Sequence, residues 1–166
     1  MASSSVSRIL PASFECVWQL IGGFHALPDW LPFIPESTAL EGGRVRCLRT
    51  SDGKVLVERL EQFNERQHYY TYSILEAPFA VSGHPATLRV YPVPGQKQAA
   101  EVVWTVRFIP EGISDAEAAA LFDGFFRDGL DALQSKPKAL AQLVHGKSGP
   151  RSPSPPSPGR AVVVLH

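Results

Sequence analysis

The chain has 166 residues, 44 % of them hydrophobic, and its 16 basic and 16 acidic residues cancel. That length and apolar content suit one domain with a substantial core. The cancellation hides an asymmetry: from Gln134 on there are five basic residues and no acids, which leaves the body net acidic and excludes a phosphate-backbone footprint, so no nucleic-acid partner is expected.

The opening MASSSVSRIL lacks a charged start followed by an apolar run, so no secretory leader is expected, and residues 5–10 read as a first strand. Ser13 is a candidate N-cap for FECVWQLI, where Phe14, Val17, Trp18 and Ile21 recur at helical spacing. Gly22 and Gly23 end that helix. In the next segment, FHALPDWLPFI, the prolines allow only a short helix before Pro32.

Residues 45–60, VRCLRTSDGKVLVERL, read as two strands folded on Ser51-Asp52-Gly53. The loop length decides what this hairpin does. A two-residue loop would set Arg46 against Arg59 and bury no coherent face. A three-residue loop with Gly53 in the left-handed conformation pairs Thr50 with Lys54, Leu48 with Leu56 and Arg46 with Glu58. Arg46, Leu48, Leu56, Glu58 and Leu60 then share an apolar face with one opposite-charge pair set in it. Two readings stand: an ordinary cross-strand ion pair at a sheet edge, or a buried pair that marks a site.

Residues 68–75, HYYTYSIL, alternate with Tyr70, Tyr72 and Ile74 on one face. After a turn at Ala77-Pro78, residues 84–90 put His84, Ala86, Leu88 and Val90 together. Pro92 to Gly95 supply the next turn. Residues 101–109, EVVWTVRFI, put Val102, Trp104, Val106 and Phe108 on one face. The pattern is an antiparallel meander with one buried face.

Ser114 and Glu117 form a capping box. The helix it opens carries an apolar stripe of Leu121, Phe122, Phe125, Phe126, Leu130 and Leu133. Gly124 and Gly129 inside it are either tolerated weak points or places where the helix lies close to the sheet or borders a cavity. Pro137 stops the helix. Residues 147–160 hold five Pro, four Ser and two Gly among fourteen and read as disordered, so the expected division is a folded domain at 1–136 and a tail at 137–166.

The expected fold class is α+β: a curved antiparallel sheet wrapped around a long C-terminal helix, with a ligand cavity beneath the sheet. The runs VWQLIGGFHALPDWLP, VRCL, VERLEQFN, YTYSILEAP, ATLRVYP and VVWTVRF resemble the SRPBCC superfamily, the START-like helix-grip fold, and within it the polyketide cyclase/dehydrase-like branch. The chain is more distantly similar to the plant abscisic-acid receptors and to the lachrymatory factor synthase family. The resemblance implies a pocket-facing Glu at Glu58 in the ERL strand, and an Arg–Glu–Tyr catalytic set whose Arg falls on Arg46 and whose Tyr position falls on His84. His84 is a departure, since imidazole titrates near 6.5 and a phenol near 10.

In such a cavity desolvation would raise the Glu58 pKa and Arg46 would lower it. Arginine cannot give up its charge, which favours a fixed carboxylate at Glu58. Arg46 suits a ligand carboxylate or enolate oxygen. Trp30, Leu48, Leu56, Tyr70, Tyr72, Leu88, Trp104, Phe122 and Phe126 are the candidate ligand-lining residues, with Trp30 covering the entrance and Trp18 packing the first helix on the sheet.

No metal site is expected: His25, His68 and His145 are not grouped with carboxylates or thiols, and Cys16 and Cys47 lack ligand spacing. Two isolated cysteines suit free thiols in a reducing, cytoplasmic setting. No apolar run reaches membrane-spanning length. The expected partner is a small hydrophobic ligand, with no cofactor. Two functions follow: a carrier or sensor of an amphipathic molecule such as a polyketide, lipid or terpenoid, or a cofactor-independent cyclase, dehydratase or isomerase. In the second, Glu58 would transfer a proton and Arg46 would stabilise an oxyanion.

Overall fold

In the computed structural model the described residues are 2–78, 81–82 and 85–135. The elements run β1 (Ala2–Leu10), α1 (Phe14–Ile21), α2 (Leu27–Trp30), β2 (Glu36–Leu40), β3 (Val45–Arg49), β4 (Val55–Asn64), β5 (Tyr69–Glu76), β6 (Val81–Ser82), β7 (Pro85–Val93), β8 (Gln96–Pro110) and α3 (Asp115–Gln134). Seven strands form one antiparallel sheet in the order β1-β8-β7-β5-β4-β3-β2, and β6 pairs with β8. The long helix α3 packs on β1 and β8 across the inner face.

Local chemistry accounts for the helix starts. Ser13 accepts from the Cys16 amide and Ser114 from the Glu117 amide. α1 ends on Gly22, whose φ of −73° is ordinary helical backbone, so its glycine is not there for a left-handed turn. A side chain there would sit 2.5 Å from the Trp18 ring; glycine is needed for close approach. At the β3–β4 turn the reverse holds. Gly53 has φ of +86°, and a Cβ there would meet nothing within 4 Å, so conformation alone selects glycine.

The three-residue loop is the one found. The Thr50 amide donates to the Lys54 carbonyl at 2.8 Å, and Arg46 faces Glu58 across the ladder. β4 and β5 carry register shifts between Val57 and Glu58 and between Leu60 and Gln62. Such bulges bend and twist strands, and these two flank the Glu58–Leu60 stretch.

Two strand expectations are corrected. β1 begins at Ala2, not residue 5. β2 has no counterpart in the sequence pattern: Glu36–Leu40 is a largely exposed edge strand without polar–apolar alternation, stabilised by pairing with β3. On α3, Phe122, Phe126, Leu130 and Leu133 are buried as the stripe requires, but Leu121 is 48 % exposed because it lies a residue off the core-facing line. The stop at Pro137 and the tail at 137–166 lie outside the described residues.

Candidate functional site

Arg46 and Glu58 point inward from adjacent strands, and the structure brings them together under the apolar roof of α3. Arg46 is fully buried and Glu58 is 4 % exposed. The Arg46 Nε donates to Glu58 Oε1 at 3.0 Å, its Nη1 donates to the Phe24 carbonyl at 2.6 Å, and Nη1 also approaches the Tyr70 hydroxyl at 3.4 Å. The guanidinium lies over the rings of Phe24 at 4.2 Å and Tyr72 at 4.8 Å. Its remaining nitrogen, Nη2, is buried and has no hydrogen-bond partner among the described residues.

Behind the pair lies a small interior void of about 20 Å³, enough for a single water molecule. Of the candidate residues, Leu48, Leu56, Tyr72, Trp104, Phe122 and Phe126 line it with Arg46 and Glu58; Leu27, Ile74 and Phe125 complete the wall. Leu56 and Phe125 also line an outer groove of about 560 Å³ bordered by Phe33, the Thr50–Lys54 turn and Asp128. Those two side chains are therefore a shared wall between groove and void. Phe125 stacks edge-on against Phe33 at 5.2 Å between ring centroids.

Three candidate lining residues do not border the void. Trp30 is fully buried, 5.6 Å from Trp104, and forms core beneath the site rather than a cover over an entrance. Tyr70 sits behind Arg46 and accepts from it. Leu88 is fully buried between Tyr70 and Trp104 in the strand register. Trp18 does pack α1 onto the sheet, its ring 5.7 Å from Phe63 and its Nε1 donating to Glu65. His84 lies outside the described residues. Among the described residues no group of His, Cys, Asp and Glu could hold a metal ion.

Burial raises the Glu58 pKa; the charge and hydrogen bond of Arg46 pull it down but do not win. Glu58 accepts from Arg46, among the described residues its one hydrogen-bond donor, and the wall beside it is apolar apart from Tyr72. Burial also works against the Arg46 charge, but Glu58 and the hydroxyls of Tyr70 and Tyr72 outweigh it and hold its pKa above the ordinary value. The pair is one permanent cation beside one carboxyl of raised proton affinity. The Phe24 carbonyl and ring complete the Arg46 environment and escape the sequence reading, because a backbone acceptor leaves no mark in the residue pattern.

Residues 1–136 match the family described as polyketide cyclase/dehydrase and lipid transport. The chain belongs to that family. Among solved structures of similar fold, the protein XoxI from Bacillus cereus is 48 % identical, covering 87 % of this chain and 99 % of its own, with a TM-score of 0.79. The aromatase/cyclase Zhui from Streptomyces sp. R1128 is 15 % identical over 86 % of this chain and 93 % of its own, with a TM-score of 0.64, and shows the fold alone. The abscisic acid receptor PYL7 of Arabidopsis thaliana is 22 % identical over 84 % of this chain and 70 % of its own length. The helix-grip architecture read from the sequence is the fold of this family. Among the described residues no helix is long and apolar enough to cross a membrane.

Proposed function

We propose that this polyketide cyclase/dehydrase-family protein binds a small amphipathic molecule against the inner face of its sheet, as a carrier or sensor, with the polar end of the ligand at Arg46 and Glu58. One observation carries this reading. A guanidinium lining a mostly apolar void is buried and keeps one nitrogen that has no hydrogen-bond partner among the described residues. Leaving a buried charged donor unmatched is costly, and a ligand oxygen would relieve it. The void in this conformation is far below the 300–1,000 Å³ typical of ligand pockets. Uptake therefore requires the Leu56–Phe125 wall to part and join void to groove. The free thiols Cys16 and Cys47 suit a reducing compartment.

A second reading has its own support. A carboxyl of raised proton affinity and a fixed cation line one small, mostly apolar space, which suits cofactor-independent proton transfer with oxyanion stabilisation. In that reading Glu58 moves the proton and Arg46 holds the oxygen; His84 is the third candidate on the strength of the resemblance.

Native mass spectrometry of freshly purified protein tests the binding reading. A retained hydrophobic or amphipathic small molecule, lost from Arg46→Met, is the expected result. Wild-type protein that neither retains such a molecule nor takes one up from a lipid and polyketide extract would end it. Conversion of the retained molecule by wild type but not by Glu58→Gln would select the enzyme reading.

A further inference from the structure

Tyr72 is the polar wall residue that the pair alone does not account for. It projects from β5, opposite Leu60 and two cross-strand pairs along from Glu58, and is 3 % exposed. Its hydroxyl oxygen accepts from the Trp104 Nε1 at 3.0 Å. A phenol has one proton of its own to donate, and among the described residues no acceptor takes it. Tyr72, Trp104 and Arg46 all border the void, and the Arg46 Nη2 is buried and, among the described residues, unmatched. Two side chains with a donor to spare thus border the same small space.

We propose that Tyr72 is a ligand-binding residue whose phenol donates to a ligand oxygen alongside Arg46, so that the ligand is an amphipathic molecule with a carbonyl, carboxylate or enolate oxygen rather than a plain hydrocarbon. This rests on the binding reading above and narrows its chemical class. Burial, followed by the nearby Glu58 charge, pushes the Tyr72 phenol well above its ordinary pKa, so it remains a neutral donor. Trp104 is itself stacked on Phe126 at 4.5 Å, which fixes the ring that holds the phenol oxygen. The donor direction is therefore set before a ligand arrives, the condition under which one hydrogen bond discriminates strongly between ligands with and without an acceptor.

The test is calorimetric titration of the full chain with two probes of one shape. 2-Acetylnaphthalene carries a carbonyl, and 2-isopropenylnaphthalene replaces that oxygen with a methylene. Wild type should bind the ketone at least ~10-fold tighter, and Tyr72→Phe should lower ketone affinity by about 10-fold while leaving the alkene within twofold. Equal losses for both probes would make Tyr72 a packing residue and overturn the proposal. So would an unchanged ketone affinity in Tyr72→Phe, or no preference between the probes in wild type; in each case alkene binding would leave the parent reading standing. Binding of neither probe by wild type would overturn this proposal, and the parent reading would then stand or fall on the native mass spectrometry. Should Tyr72→Phe not fold, Tyr72→3-fluorotyrosine keeps the shape and sharpens the donor. It should tighten the ketone alone, and an unchanged ketone affinity would overturn the proposal.

Discussion

Arg46 and Arg49 lie three residues apart on β3, and each meets a glutamate at nearly the same distance. Arg46 is 3.0 Å from Glu58, and Arg49 is 3.1 Å from Glu36 on β2. Their side chains leave the strand on opposite faces. The inner pair is 0 % and 5 % exposed, the outer pair 57 % and 64 %. The same chemistry at nearly the same length therefore has two different consequences. Water screens the outer pair and competes for its hydrogen bonds, so it contributes little. The inner pair is surrounded by aromatic rings and an apolar void, so each charge depends on the other. An ion pair is informative through its surroundings, not its distance.

The largest effect should come from breaking each pair at its arginine. Arg46→Met leaves a buried carboxylate alone and should cost about 3–5 kcal/mol, whereas Arg49→Met should cost about 0–1 kcal/mol, both read from urea unfolding. Equal small losses would mean that water reaches Arg46. Arg46→Met/Glu58→Leu sharpens the point. It should recover most of the lost stability, because burying two apolar groups avoids the desolvation of two charges, while removing ligand uptake. A double variant that keeps uptake would reduce the pair to a structural role.

The same inner–outer contrast recurs on α3. A Cβ at Gly129 would meet Leu31 and Trp104 at 3.0 Å, whereas one at Gly124 would meet nothing within 4 Å. Gly129→Ala should destabilise by about 1–3 kcal/mol through overpacking, and Gly124→Ala should stabilise by up to about 1 kcal/mol through helix propensity. Thermal melts of the two variants should move in opposite directions; a shared direction would show that Trp104 yields freely.

The subtlest effect is in pH. The folded-state Glu58 pKa is raised, first by burial. Below its unfolded value, about 4.3, the carboxyl is protonated in both states and its stabilising contribution is fully present. That contribution is lost as pH rises through the folded pKa. Glutamine does not titrate, so the stability of Glu58→Gln relative to wild type should climb across that window, by no more than about 1.4 kcal/mol per pH unit. Glu36→Gln should show no comparable trend. A relative stability that falls with pH would mean that Arg46 holds Glu58 below the ordinary carboxylate range.

Much of this architecture is written locally. The Ser13 and Ser114 caps, the period-two apolar faces of β5, β7 and β8, and the α3 stripe depend on residues within a turn or a strand of one another, so sequence spacing reveals them. The turn at Gly53 determined the register of Arg46 against Glu58 for the same reason: a hairpin loop fixes its own pairing. What contacts the pair from elsewhere was not legible. The Phe24 carbonyl on Nη1, Phe125 in the shared wall and Trp104 on the Tyr72 hydroxyl come from segments distant in the chain. The α1–α2 connection, the β5–β7–β8 pairing and the packing of α3 bring them within reach only in the folded chain. The balance on Glu58 belongs to the same class. Its partner could be read from the sequence, but desolvation is set by everything packed around a group, and that is decided only when the chain has closed around it.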